Sequence, residues 1–261
     1  MSATTHEGWL AAHGYLQPLG EVCALIENAA ARVPAAWVTP PHWPEYLPDF
    51  HAGIPLLLSD RAALEIGDPV QSVLSMLETL RHVPLPAPFS ARCHALEGDL
   101  RMQDDPEPRV EAGLFRVLLW TVAARCLRPV IAEFAEWRDE ERWLRAYCPT
   151  CGEPPAMAQL AGQDPGRLRL LSCGCCRTRW RYKRMTCPFC ERADDHRLSV
   201  IAVEGERPLR IDYCESCRGY LKTYDGQGSE DVFLADWTSL HLDVIARDRG
   251  LNRRAASLYE V

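Results

Sequence analysis

Residues 172–190 read SCGCCRTRWRYKRMTCPFC. Cys173 and Cys176 form one C-x2-C pair here, and Cys187 and Cys190 form another. Two more pairs lie outward on either side, Cys148/Cys151 and Cys214/Cys217. The full pattern is C-x2-C-x21-C-x2-C followed by C-x2-C-x23-C-x2-C. CPTCG is echoed by CPFCE, and CGCCR by CESCR, so the pattern is an internal duplication.

The spacing has a chemical basis. Two residues between cysteines allow a tight turn that presents both sulfurs to one ion, and two such turns complete a closed tetrahedral site of four thiolates. Zinc and a single iron both accept that geometry. A structural zinc supplies roughly 10–16 kcal/mol of apparent binding free energy, enough to hold a module too small for a core of its own. The duplication favours pairing in chain order, although crossed pairing of the first knuckle with the third or fourth stays open. A thioredoxin-like redox motif needs one C-x-x-C between a strand and a helix, which four copies among hairpin-like runs do not match.

The other cysteines read more simply. Cys23 and Cys126 lie on apolar helical faces and read as core, and Cys93 beside His94 makes no ligand set. Cys175 falls between two knuckle cysteines, where a fifth ligand is not needed. Its side chain is expected to point away from the metal or to bond weakly to a neighbouring sulfur.

The same stretch strings Arg177, Arg179, Arg181, Lys183 and Arg184 around Trp180 and Tyr182. As a strand it sorts by period two. Arg177, Arg179, Arg181 and Lys183 share one face, and Thr178, Trp180, Tyr182 and Arg184 share the other. A nucleic-acid platform needs aromatics and cations on one exposed face. Their separation points instead to a small core under the aromatics, with the cations solvated or against an acidic surface.

Charge is uneven. The chain of 261 residues has net charge −7, with 12 Lys+Arg against 20 Asp+Glu in residues 1–147, 13 against 10 in 148–225, and 4 against 6 in 226–261. The cysteine-rich part is a mildly basic island in an acidic protein. The N-terminal MSATTHEGWLAAHGYLQPLG has no cationic start and no apolar run of the signal-peptide kind. The most apolar region, residues 113–137, is interrupted by Arg116, Arg125 and Arg128, against membrane insertion. A cytoplasmic, reducing location is expected, where twelve cysteines are thiols or metal ligands rather than disulfides.

Residues 1–146 read as a helical domain. Leu19–Val33 puts Val22, Leu25, Ile26 and Ala29 on one face. Residues 59–83 look like two helices, the first capped by Ser59 or Asp60 and ended by Gly67, the second started by Asp68-Pro69. A buried helix follows, kinked or broken at Pro129. Residues 34–58, rich in proline and aromatics, read as a loop wrapping this domain. The acidic run DDPEPRVE (residues 104–111) reads as a solvated turn and helix start. Short β-like runs at 168–172, 178–185, 198–205 and 209–213 accompany the knuckles. A final helix is expected to turn Leu240, Val244 and Ile245 inward and to end at Gly250. The fold class is α+β: the helical domain (1–146), two tandem four-cysteine metal modules (147–186 and 187–225), and a C-terminal helix and tail (226–261).

No H-E-x-x-H, G-x-S-x-G or phosphate loop is present, and a complete four-thiolate site leaves no position for an activated water. The chain therefore reads as a non-enzyme.

YCPTCGEPPA, CGCCRTRWRYKRMTCPFC, YCESCRGYLK and, more loosely, LADWTSLHLD resemble the formate dehydrogenase accessory protein FdhE family. The resemblance covers about residues 147–250, with AGIPLL (52–57) as a shared element upstream. Trp180 and Arg184 fit the family's pattern, whereas Arg177, Arg179, Arg181 and Cys175 depart from it. The resemblance implies a cytoplasmic, non-catalytic factor that acts on the catalytic large subunit of respiratory formate dehydrogenase, a molybdenum- or tungsten-containing selenoprotein, before export. It also implies rubredoxin-like modules whose eight cysteines bind two iron ions, where spacing alone favours zinc. Gly219–Lys222 and the aromatic, proline-rich loop are the expected contact surfaces. The alternatives are a zinc-ribbon nucleic-acid-binding protein and an iron-based electron-transfer or redox-sensing protein.

Overall fold

In the computed structural model the chain divides into two compact units, residues 1–41 with 63–135 and 258–261, and residues 42–62 with 136–257. The structure describes residues 6–34, 38–39, 41–102, 108–162, 166–192, 198–206, 208–226, 235–255 and 257. Residues 104–107 of the acidic run lie outside them.

The first unit is helical: α1 (His6–Ala12), α2 (Gln17–Ala30), α4 (Pro69–Arg81), α5 (Ala87–Met102) and α6 (Ala112–Cys126). Asp68 caps α4 by accepting the Val70 N–H at 2.8 Å, and Pro69 opens it where no N–H is required. Helical spacing then puts Val73, Met76, Leu77 and Leu80 on one buried face. They pack with Ile26 and Ala29 of α2, Leu96 and Leu100 of α5, and Leu114, Leu118 and Val122 of α6. Cys23 and Cys126 are buried among these helices, as expected of core residues, and Cys93 is buried there as well. Burial raises the Cys93 thiol to about 11. Buried Glu97 of α5 would also be raised by burial, but Arg81 and Arg101 (2.9 Å) hold its carboxyl below the usual range.

Two expectations for residues 34–66 are corrected. Residues 59–66 form only a 3-10 turn, Asp60–Ala62, because Ser59 Oγ closes it against the Ala62 N–H and Ala63 leaves the right-handed region at φ 50°. The proline-rich stretch is also not simply a loop. It contains helix α3 (Trp43–Ala52), with Pro44 in the first turn, where it is tolerated, and Gly53 at φ 84° as its C-cap.

The helix break expected at Pro129 falls at Leu127, between α6 and α7 (Arg128–Trp137).

Helix α3 belongs to the second unit. Its Phe50 ring stacks on Trp143 of α8 (Glu140–Trp143) with centroids 5.4 Å apart, and Trp43 stacks on Trp137 at 5.2 Å. The rest of the unit is a seven-stranded sheet, in order β3-β2-β1-β6-β5-β4 with β7 beside β6. The strands are β1 (Pro155–Ala161), β2 (Leu168–Cys173), β3 (Arg179–Tyr182), β4 (Leu198–Ala202), β5 (Leu209–Cys214), β6 (Gly219–Asp225) and β7 (Asn252–Arg253). Each half of the cysteine duplication supplies an antiparallel three-stranded meander. Parallel pairing of β1 with β6, with Met157 opposite Lys222, fuses the two into one sheet. The duplication seen in the cysteines is thus a duplication of topology.

Helix α9 (Leu240–Asp248) lies over β6. Its buried residues are Leu242, Asp243 and Ala246, while Val244 is exposed, so the expected inward face is corrected. The helix is rotated because Asp243 reaches two cations, buried Lys222 and half-buried Arg253. Gly250 at φ 67° ends it as expected: the Leu251 N–H reaches the Ala246 carbonyl at 3.0 Å and the Gly250 N–H reaches Arg247 at 2.9 Å, a Schellman pair. Gly219, Tyr220, Leu221 and Lys222 are all buried, so they are not the exposed contact surface that the sequence suggested.

No helix among the described residues is long and apolar enough to cross a membrane.

Candidate metal centres

The four knuckles share one backbone design. Each residue after the second cysteine lies in the left-handed region: Gly152 (φ 83°), Arg177 (62°), Glu191 (55°) and Arg218 (58°). That conformation reverses the chain just past the second sulfur. At three of the four positions a side chain tolerates it, at a cost of about 1–2 kcal/mol each by general steric estimates. The turns are closed by Gly152 N–H to Cys148 O (2.9 Å), Glu191 N–H to Cys187 O (2.9 Å) and Arg218 N–H to Cys214 O (2.8 Å).

Neighbouring segments hold the knuckles in place. Leu56 and Leu57 donate their N–H groups to the Pro149 and Thr150 carbonyls at 2.9 and 2.8 Å, so the end of the proline-rich stretch backs the first knuckle. Nothing in its periodicity signalled this. The fourth knuckle is braced from the C-terminal side, with Asn252 N–H on Arg218 O (2.8 Å) and Arg254 on Cys217 O (3.0 Å).

The sulfurs gather in chain order, not in crossed pairs. Cys148, Cys151, Cys173 and Cys176 form one group, and Cys187, Cys190, Cys214 and Cys217 the other, with ligand atoms mutually within 4.8 Å. In the first group Cys148–Cys176 and Cys151–Cys173 are each 3.4 Å apart. In the second, Cys187–Cys217 and Cys190–Cys214 are 3.7 and 3.8 Å apart. A tetrahedron with metal–sulfur bonds of about 2.3 Å has edges of about 3.8 Å, so both groups fit a metal ion held by four thiolates. Backbone N–H groups already point at the sulfurs, Thr150 to Cys148 Sγ and Phe189 to Cys187 Sγ, each at 3.4 Å. The donor set suits iron as well as zinc.

Cys175 is buried outside both groups and sends its backbone N–H to Cys173 Sγ at 3.4 Å. It is not one of the sulfurs that gather in either four-cysteine group.

The sulfurs are electrostatically unequal. Burial would raise the Cys214 thiol, but N–H groups of Cys217 and Ser216 and the neighbouring sulfurs bring it down to about 7. Burial pushes Cys187 up to about 12. In the first group Cys176 is drawn below the ordinary thiol range against its burial, by the sulfurs of Cys148, Cys151 and Cys173 and by the Thr178 hydroxyl. Metal binding must displace the remaining protons, so it releases acid.

The basic strand is shorter than expected, Arg179–Tyr182, and Arg184 is exposed rather than sharing the aromatic face. The aromatics and the cations at 179 and 181 nevertheless sort as the period-two reading has it. Thr178, Trp180 and Tyr182 are buried, and Trp180 Nε1 donates to the Arg145 carbonyl at 3.0 Å. On the other face Arg181 pairs with Glu141, its N–H meets Glu140 at 3.1 Å, and Arg179 bonds to Gln159. Arg138 meets the Arg179 carbonyl at 2.5 Å. These cations and this strand edge are engaged by the acidic helix α8 and by β1, which removes the main support for a nucleic-acid surface.

No family model matches the chain. A Protein FdhE homolog from Pseudomonas aeruginosa is 36% identical over 124 residues, covering 44% of this chain and 39% of the relative. One from Aquifex aeolicus is 31% identical over 129 residues, covering 48% and 46%. The chain thus spans less than half the length of these curated relatives. The crystal structure of the FdhE protein from Pseudomonas aeruginosa shares the fold, with TM-score 0.63 and 24% identity over 94% of this chain and 88% of that one. Over the matched residues the chain is thus similar to FdhE homologues, and it shares the fold of an FdhE protein.

Proposed function

We propose that the chain is a non-catalytic accessory factor that binds the catalytic subunit of respiratory formate dehydrogenase in the cytoplasm and is needed for its activity. The observation that carries this reading is the pair of complete four-cysteine clusters on a fold shared with an FdhE protein. Each cluster is proposed to hold one metal ion through Cys148, Cys151, Cys173 and Cys176 or through Cys187, Cys190, Cys214 and Cys217. Iron is favoured by the family resemblance, and zinc is the alternative that the geometry equally accepts. Four thiolates close the coordination sphere, so the ions order the surface or exchange electrons rather than activate water.

The test is an anaerobic affinity pull-down of the tagged chain from its own host, paired with deletion of its gene. Co-purification of the dehydrogenase catalytic subunit, and loss of formate dehydrogenase activity on deletion, are expected. Unchanged activity in the deletion strain overturns the reading.

A further inference from the structure

The two clusters are built on one plan, so their differences can be located residue by residue. Thr150 in the first knuckle corresponds to Phe189 in the third, since each sends its N–H to the first sulfur of its turn at 3.4 Å. Thr178, two residues past Cys176, corresponds to Gly219, two past Cys217; both follow a left-handed arginine.

In the first cluster these positions hold a hydroxyl pair. Thr150 Oγ1 and Thr178 Oγ1 are 2.7 Å apart, and Thr178 Oγ1 is 3.1 Å from Cys176 Sγ. Both threonines are fully buried. In the second cluster the pair is missing and its space is taken. A Cβ at Gly219 would lie 2.7 Å from the Phe189 ring and 3.3 Å from Cys217 Sγ. The phenyl ring stands where a hydroxyl would have to go. The second cluster also has two half-buried cysteines, Cys190 and Cys217, where the first has only Cys151.

When Cys176 is a metal-bound thiolate it can only accept, so the Thr178 O–H donates to it and the Thr150 O–H donates to Thr178 Oγ1. Such a bond delocalises charge from the sulfur and fixes its lone pairs, and the loss of outer-sphere partners of this kind commonly costs 10–100-fold in metal affinity. We propose that the Thr150–Thr178 hydroxyl pair is an outer-sphere positioning device belonging to the first centre alone, and that it makes the first centre the retentive one and the second the exchangeable one. The proposal rests on the reading that both clusters hold metal.

The experiment follows zinc leaving the full-length, zinc-loaded chain into excess chromophoric chelator. Two phases of equal amplitude are expected, and Cys190→Ser abolishes the fast one. Thr178→Val accelerates the slow phase by about tenfold or more and leaves the fast phase unchanged. Thr178→Ser restores the slow phase, and Thr150→Val adds little on a Thr178→Val background, because the two hydroxyls act in series. Thr150→Val alone also accelerates the slow phase, which supplies a second route if Thr178→Val does not fold. A slow phase indifferent to both valine substitutions overturns the proposal, as does release of both ions at one rate. A chain that takes up no zinc overturns the metal reading itself, a separate failure.

Discussion

Lys222 Nζ lies 2.6 Å from Asp236 Oδ1 and 2.7 Å from Asp243 Oδ2, with all three side chains buried. Arg253 joins the same two carboxylates at 2.7 and 2.8 Å, and Tyr220 donates to Asp243 at 2.7 Å. Two cations and two anions, all bonded, form a clasp that holds α9 and β7 onto β6, the strand that follows the fourth knuckle. Removing one member leaves buried charge uncompensated, at a cost of about 3–5 kcal/mol. Lys222→Met is expected to lower unfolding stability by about 3 kcal/mol in urea titration, with Arg253 covering part of the loss. A change under about 1 kcal/mol contradicts the clasp.

The clasp also sets an acid limit. Burial alone would raise the Asp236 carboxyl, but Lys222 and Arg253 lower it from 3.8 to about 2. A carboxyl lowered in the folded state contributes stability that is fully present above its unfolded value and is lost as pH falls towards 2. The contribution is on the order of 2 kcal/mol. Asp236→Asn is expected to flatten the fall in stability between pH 4 and 2, seen as a smaller difference in Tm from wild type at pH 2 than at pH 6.

Gly152 is the one glycine among the four left-handed knuckle positions. Its φ of 83° is strained for any side chain, and a Cβ there would meet Pro55 and Leu58 at 3.3 and 3.4 Å. Gly152→Ala is expected to destabilise the chain by about 1–2 kcal/mol. Exposed Glu191 has the same conformation without glycine, so Glu191→Gly is expected to be neutral or to stabilise by up to about 1 kcal/mol. Thermal melts of the two variants should move in opposite directions or differ clearly in size.

The basic strand should not behave as a nucleic-acid surface. Arg181→Ala is expected to change unfolding stability by less than about 1 kcal/mol, as befits a half-exposed ion pair with Glu141. Wild type should show no salt-dependent retention of single-stranded oligonucleotides. Binding with a steep salt slope that Arg181→Ala reduces would restore the nucleic-acid reading.

What was legible in the sequence follows from where the information is local. The C-x2-C spacing defines both clusters, because two sulfurs in one tight turn need nothing from elsewhere in the chain. The period-two sorting of residues 177–184 identified Trp180 and Tyr182 as core for the same reason. The Asp68-Pro69 helix start was equally local. By contrast, β1 carries three alanines in PAMAQLA and has little intrinsic strand preference; it is a strand because β2 and β6 flank it. Lys222 looked exposed because a lysine usually is, and only Asp236 and Asp243, more than a dozen residues later, make its burial tolerable. The outward turn of Val244 has the same cause. Helix α3 was hidden by its prolines, and the role of Leu56 and Leu57 in backing the first knuckle is carried by backbone N–H groups that no side-chain pattern reveals.

Metal content bears most directly on the central claim that each half of the duplication builds one four-thiolate centre. Elemental analysis of the anaerobically purified chain should find two ions of iron or zinc per chain. Cys176→Ser and Cys214→Ser should each retain one ion, and Cys175→Ser should retain both. A wild-type chain with clearly fewer than two ions, or a Cys175→Ser variant that loses one, would contradict the account.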